Sequence, residues 1–177
     1  TKDGFQNLQG APERNVSFGV YFNFSLERMR DFDNDVIEIP ENHIISEDRA
    51  IAGFITAGKN DSLTWIGHST FLLQLDGKII LTDPFLSPRA SPFSFLGPER
   101  YVPPGISINN LPSVDMILIS HNHYDHLDKR TLEILPEKEK IVVVVPLGLR
   151  NFFTEIGYKL VYEIDWYEEI ELNGIKF

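Results

Sequence analysis

The sequence predicts a mixed α/β layer fold, and three observations carry that prediction. Short apolar strands come first and are joined as a hairpin, two continuously apolar runs follow, and helical segments separate and succeed those runs. Hairpin strands followed by strand–helix units call for a sheet with helices packed on it.

The elements follow in chain order. Residues 1–60 stand apart, as an N-terminal extension packing on a domain formed by residues 61–177. They mix Phe18, Tyr21, Phe22 and Phe24 with an acidic run (Asp31, Asp33, Asp35, Glu38) and show no clean period. Val16, Phe18, Val20, Phe22 and Phe24 alternate as a strand would, yet Phe18, Phe22 and Met29 also fit one helix face, and both readings stand. From residue 61 the pattern sharpens. Ser62–Ile66, Phe71–Leu75 and Lys78–Leu81 read as strands, with Asp76-Gly77 as a tight turn between the last two. The loop from Asp83 to Pro112 holds seven of the 11 prolines and is too Pro-rich for a sheet. Its aromatics, Phe85, Phe93, Phe95 and Tyr101, predict an ordered loop packed on the body. Val114–Ile119 is a buried strand, Lys129–Leu135 a helix stopped by Pro136, and Ile141–Val145 a second buried strand. Leu147–Ile156 reads as a helix ending at Gly157, and Val161–Ile164 and Ile170–Leu172 as edge or meander strands.

Composition narrows the function. A chain of 177 residues with 42% apolar content can bury a core of its own. No run approaches the roughly 20 apolar residues of a membrane span. The chain opens on Thr with no charged-then-apolar leader, so any targeting segment has been removed or never existed, and the compartment stays open. With no cysteine, any metal must sit on His and carboxylate ligands. A net charge of −10 argues against nucleic acid, whose phosphates call for Lys and Arg, and gives no help toward anionic membranes.

The chemistry concentrates in His121-Asn122-His123-Tyr124-Asp125-His126, directly after a buried strand and before a helix. Three of the five histidines of the chain fall here. Imidazoles with a carboxylate form the ligand set of zinc, iron or manganese sites. Residues at i and i+2 of an extended loop project alike, so His121 and His123 can grip one ion, while Asp125 and His126 face a second. Strand C-terminal ends are where α/β sheets place ligand sites. His68, between two strands, is either a turn histidine bonded to local backbone or a contact to substrate or metal ligands. His43 reads as a solvated surface residue, Asp128 as the N-cap of the following helix, and Tyr124 as a packing residue first and a substrate contact second. Arg89 and Arg100 either meet a phosphate or pair with acidic residues.

His-x-His-x-Asp-His after an apolar strand resembles the metallo-β-lactamase superfamily. Thr64-Trp65-Ile66-Gly67-His68-Ser69-Thr70, Leu81-Thr82-Asp83-Pro84, Ser91-Pro92, Gly97-Pro98-Glu99-Arg100, Ile119 to Asp128, Pro146-Leu147-Gly148-Leu149 and Asp165-Trp166-Tyr167-Glu168-Glu169 are similar to one of its branches. That branch contains N-acylphosphatidylethanolamine-hydrolysing phospholipase D and its bacterial relatives. The resemblance spans residues 61–177 and implies an αββα sandwich of which this chain supplies the first half. It also implies two divalent ions, zinc first, held in part by His121, His123, Asp125 and His126. Asp125 would in addition hydrogen-bond a nucleophilic hydroxide generated on the metals. Asp83, by its position alone an ordinary turn carboxylate, would orient the metal loop. The implied activity is phosphodiester hydrolysis, of a small molecule or a phospholipid. Lactone or other acyl-ester hydrolysis on the same fold, and a non-catalytic metal-binding module, are the alternatives. The family's remaining ligands have no counterpart here. The expectation is therefore a chain inactive by itself, completed by a C-terminal half or by a homo-oligomer. It also predicts a sheet face left apolar and open over the two buried strands.

Overall fold

The computed structural model describes residues 38–177 without a break and, before them, 9–11, 17, 19–20 and 22–23. Within Val16–Phe24, positions 19–20 and 22–23 are helical and Ser17 is not; the rest of that segment lies outside the described residues. The chain forms two compact units, Thr1–Glu38 and Ile39–Phe177.

The second unit opens with a helix that the sequence pattern did not suggest, α1 (Glu47–Ala57). Its short apolar stripe explains both the helix and the oversight. Ala50 is buried in the core with Ile51 and Phe54 packed beside it, while Ile55 faces solvent. Gly58, at φ +61, ends the helix, where its N–H caps the Ile55 carbonyl.

Six strands form one mixed sheet in chain order: β1 (Ser62–Gly67), β2 (Thr70–Leu75), β3 (Lys78–Thr82), β4 (Met116–Leu118), β5 (Val142–Pro146) and β6 (Leu160–Ile164). The first three run antiparallel, and β2 meets β3 through Asp76 (φ +49) and Gly77 (φ +73), the two left-handed residues of a type I′ turn. The strands from β3 to β6 run parallel. The long loop carries the chain from β3 to β4, and the later crossovers are α2 (Lys129–Ile134) and α3 (Arg150–Glu155). Helix α3 begins later than the sequence suggests because Gly148 turns at φ +89 and breaks the run from Leu147. The Glu163 carboxylate on β6 then accepts the Gly148 and Arg150 N–H groups at 2.7 and 2.9 Å, supplying the cap that Leu149 cannot.

Period-two alternation divides the sheet into two faces. The row Leu72, Leu81, Ile117, Val143 and Val161 packs beneath all three helices against Leu132, Phe153 and Tyr158. The Tyr158 hydroxyl reaches the Leu132 carbonyl at 3.0 Å, and burial pushes its pKa well above the usual phenol range. The opposite row runs Leu63, Leu73, Ile80, Met116, Val142 and Leu160. This face is not wholly open, contrary to expectation. A hairpin of β7 (Glu171–Leu172) and β8 (Ile175–Lys176) covers its centre, with Ile175 and Leu172 packed on Met116 and Val142. The margins stay bare, with Leu63 65% and Trp65 63% exposed. Asn173-Gly174, with both φ positive, makes the hairpin turn, an Asn-Gly signal that the sequence reading passed over.

The long loop is ordered as expected but not packed as expected. Arg89 bridges Glu99 across it, Ser107 N donates to Glu47 at 2.6 Å, and residues 108–110 form a 3₁₀ turn. Of its four aromatics only Phe85 is buried; Phe93, Phe95 and Tyr101 face solvent because the loop folds back on itself through Arg89 and Gly97.

Candidate metal centre

The end of β4 delivers the histidine-rich loop. Ile119, buried, donates its N–H to Val144 O, which keeps the chain extended as far as Ser120. His126 and Leu127 both donate their N–H groups to the His123 carbonyl, at 3.0 and 2.7 Å, so the chain reverses sharply over 123–127. Leu127 drops into the core and Asp128 caps α2 by accepting from Arg130 N at 3.2 Å. Both ends of the loop are thereby nailed down, and the side chains between them point outward together.

Asp83 organises the floor. It sits at φ +37 just past β3, with its N–H bonded to Leu118 O. Its carboxylate accepts from Ser120 N and Ser120 Oγ, each at 2.7 Å, and lies 2.8 Å from His126 Nδ1. That contact commits Nδ1 of His126 to the carboxylate and leaves Nε2 free. Ser120 Oγ also stands 2.9 Å from His121 Nδ1, with the same consequence for that ring. A carboxylate or hydroxyl on one imidazole nitrogen with the other left open is how ligating histidines are held. Sequence reasoning singled out Asp83 but missed Ser120, although its place directly before His121 was a usable signal.

Of the four expected ligands, Asp125 and His126 converge directly, with Asp125 Oδ2 3.6 Å from His126 Nε2. His121 stands ring to ring with His126 at 4.0 Å and with His123 at 4.5 Å between centroids. His68 reaches the same place from the β1–β2 turn, its Nε2 2.8 Å from Asp125 Oδ2. Donor atoms of His68, Asp125 and His126 lie within 4.8 Å of one another. Burial, together with the neighbouring His126 and His123, lowers the His121 pKa below the ordinary imidazole range, outweighing Asp83 and Asp125 and favouring the neutral form that ligates metal. Burial works to raise the Asp125 carboxyl, but its own N–H, His126 and the bond to His68 hold it below the usual carboxylate range. The donor set thus fits divalent ions: His121 favoured in its neutral form, His121 and His126 each with Nδ1 engaged and Nε2 open, a carboxylate kept ionised, and no thiolate.

Other sequence candidates lie elsewhere or are otherwise engaged. His43 is exposed, and Tyr124 is 53% exposed rather than packed. Arg89 is tied to Glu99 and the Gly97 carbonyl. Arg100 stacks over Phe85 at 4.6 Å and donates to the Phe85 and Val102 carbonyls.

The sequence family described as "Beta-lactamase superfamily domain" matches residues 62–175, well over half of the chain. The chain belongs to that superfamily. Its mixed sheet with helices on one face is the corresponding part of the metallo-β-lactamase fold. It is 41% identical over 122 residues to N-acyl-phosphatidylethanolamine-hydrolyzing phospholipase D 1 of Caenorhabditis elegans, covering 63% of this chain and 33% of that protein. It is 32% identical over 98 residues to a UPF0173 metal-dependent hydrolase of Ligilactobacillus salivarius, covering 55% of this chain and 38% of the relative. Among solved structures, a "possible metal-dependent hydrolase" of Veillonella parvula superposes with a TM-score of 0.54 at 26% identity, over 64% of this chain and 45% of that one. The chain therefore spans about a third of the length of the curated relatives it matches. Among the described residues no helix is long and apolar enough to cross a membrane.

Proposed function

We propose that the protein is a metal-dependent hydrolase of phosphodiesters, a phospholipid being the first choice of substrate. The observation that carries this reading is the convergence of Asp125 with His126 Nε2 while Asp83 occupies His126 Nδ1. In this reading His121 and His123 serve one divalent ion, and Asp125 and His126 a second. Zinc suits the ligand set best, and iron or manganese would also accept it. Bound there, such ions lower the pKa of a coordinated water and neutralise charge that develops on the substrate. Asp125 accepts a hydrogen bond from the attacking water and fixes its direction. The resemblance to a phospholipase D supplies the substrate class.

One observation favours a second reading, hydrolysis of a lactone or other acyl ester. Arg89 and Arg100, the cations the sequence offered for a phosphate, are both committed within the long loop. A carbonyl substrate needs no such cation. The test is turnover of the zinc-loaded full-length protein on a glycerophospholipid diester and on an acyl lactone. Faster cleavage of the diester supports the first reading; faster cleavage of the lactone replaces it with the second.

In this reading the chain supplies two ligands for each ion, short of a four-donor shell. The 177-residue chain by itself should consequently be inactive, the closing ligands coming from further sequence of the protein or from a second copy. Equal turnover by this chain and by the full-length protein would overturn that expectation.

A further inference from the structure

The turn between β1 and β2 has a shape that joining two strands does not require. Pairing is irregular between Trp65 and Gly67, Gly67 lies at φ +139, and His68 follows at φ +51. A Cβ on Gly67 would stand 2.7 Å from Arg100 Nη2, so a side chain there would displace the guanidinium. Arg100 is itself fixed by Phe85, whose ring it covers and whose carbonyl it bonds at 2.8 Å. Phe85 in turn meets the His68 ring edge-on at 6.1 Å. The Trp65 indole N–H holds the His68 carbonyl at 2.9 Å. The ring and the carbonyl of a part-exposed histidine are each held by a different residue. The outcome is a contact with Asp125, 57 residues away in sequence.

From this geometry we infer that His68 is a positioning residue of the metal centre, donating its Nε2–H to Asp125 Oδ2 and so fixing how that carboxylate presents its oxygens beside His126. The inference rests on the reading that Asp125 and His126 serve an ion. Distance separates this role from direct ligation. Ligand atoms about 2.0–2.1 Å from one tetrahedral ion stand roughly 3.3 Å apart. His126 Nε2 and Asp125 Oδ2, at 3.6 Å, approach that separation. His68 Nε2 and Asp125 Oδ2, at 2.8 Å, have a hydrogen-bond separation instead.

The test is zinc titration of the full-length protein against a competing chelator, for wild type, His68→Asn and His68→Gln, with thermal melts as a check on folding. Asn tolerates the positive φ, but its amide is too short to reach Asp125. The Gln amide extends about as far from Cβ as imidazole Nε2 does. His68→Asn should keep two ions but bind one of them 10- to 100-fold more weakly, as losses of outer-shell partners do. His68→Gln should restore most of that affinity. Wild-type affinity in His68→Asn would overturn the proposal, as would outright loss of one ion that Gln fails to restore, since that marks a direct ligand. A wild type that retains no divalent ion would instead overturn the metal reading itself, and this inference with it.

Discussion

Two loops leave the same edge of the sheet, from the neighbouring ends of β3 and β4, and they are built in opposite ways. The loop over 119–128 is short and tied to its surroundings at four side chains: Ser120 and His126 to Asp83, Asp125 to His68, and Asp128 to Ser87. The loop over 83–112 is tied at its base, through Asp83, Phe85 and Ser87, and again where Gly105 N meets the Ile66 carbonyl at 2.7 Å. Arg130 Nη2 also reaches the Pro92 carbonyl at 3.2 Å, but beyond that bond the tip faces solvent, with Phe95 80% and Leu96 57% exposed. Order is concentrated where donor atoms must be held in register, while extra loop length elsewhere adds little closure entropy. The long loop serves the short one from its base.

The comparison breaks first at the ligands. Replacing His121 and His123 together by Ala should abolish metal retention in the full-length protein, while His43→Ala should leave it unchanged. Elemental analysis of the purified variants reads this directly, and equal metal in wild type and the double variant would remove the short loop from the site.

The join between the loops comes next. Asp128, 6% exposed, accepts from Ser87 N and Oγ, each at 2.9 Å, from Thr131 Oγ1 at 2.6 Å and from Arg130 N at 3.2 Å. Asp128→Ala removes a helix cap and orphans buried donors in the long loop and in α2 at once, a loss of about 3 kcal/mol. Denaturant unfolding measures it; a loss no larger than that of an exposed cap would mean that the base of the long loop is held by something else.

Asp83→Asn has a smaller effect and a different readout. It keeps the shape but loses the charge facing Ser120 and His126, so metal affinity should fall roughly 10- to 100-fold with little change in stability. Metal titration beside a thermal melt separates the two; unaltered affinity would leave Asp83 as no more than a turn residue.

How much of this was legible depended on whether the signal was local. The strands from Ser62 to Thr82, the Asp76-Gly77 turn and the cap at Asp128 were readable because a few adjacent residues specify each of them. Helix α1 was not, because its apolar stripe is only Ala50, Ile51 and Phe54 and its stability comes from packing on a sheet formed later in the chain. At the site the histidine-rich cluster announced itself, and Asp83 and His68 were singled out beside it, but Ser120 and Ser87 and the bonds that join them were not. Ser87 lies 41 residues from Asp128, and Asp83 lies 37 from Ser120, separations that no local pattern records. The packing assigned to Phe93, Phe95 and Tyr101 was wrong because aromatic content alone does not say which way a loop turns.

The tip of the long loop supplies the last test, and it probes the side of the comparison predicted to matter least. Phe95 touches Phe93 in a tilted pair at 5.8 Å, and both rings face solvent. The bonds that shape this ribbon are Ala90 N to Pro98 O at 2.9 Å, Arg89 to the Gly97 carbonyl at 2.8 Å, Phe93 N to Ser91 Oγ at 3.1 Å and Arg130 Nη2 to the Pro92 carbonyl at 3.2 Å. None of them involves the Phe95 side chain. A surface substitution away from any cap, core contact or buried network usually changes stability by no more than about 0.5 kcal/mol. Phe95→Ser should therefore leave both the unfolding midpoint and metal affinity where they were, in contrast to Asp128→Ala at the base of the same loop. A loss above about 1 kcal/mol would show that Phe95 is packed in the assembled protein, and the free tip would have to be redrawn as a buried contact.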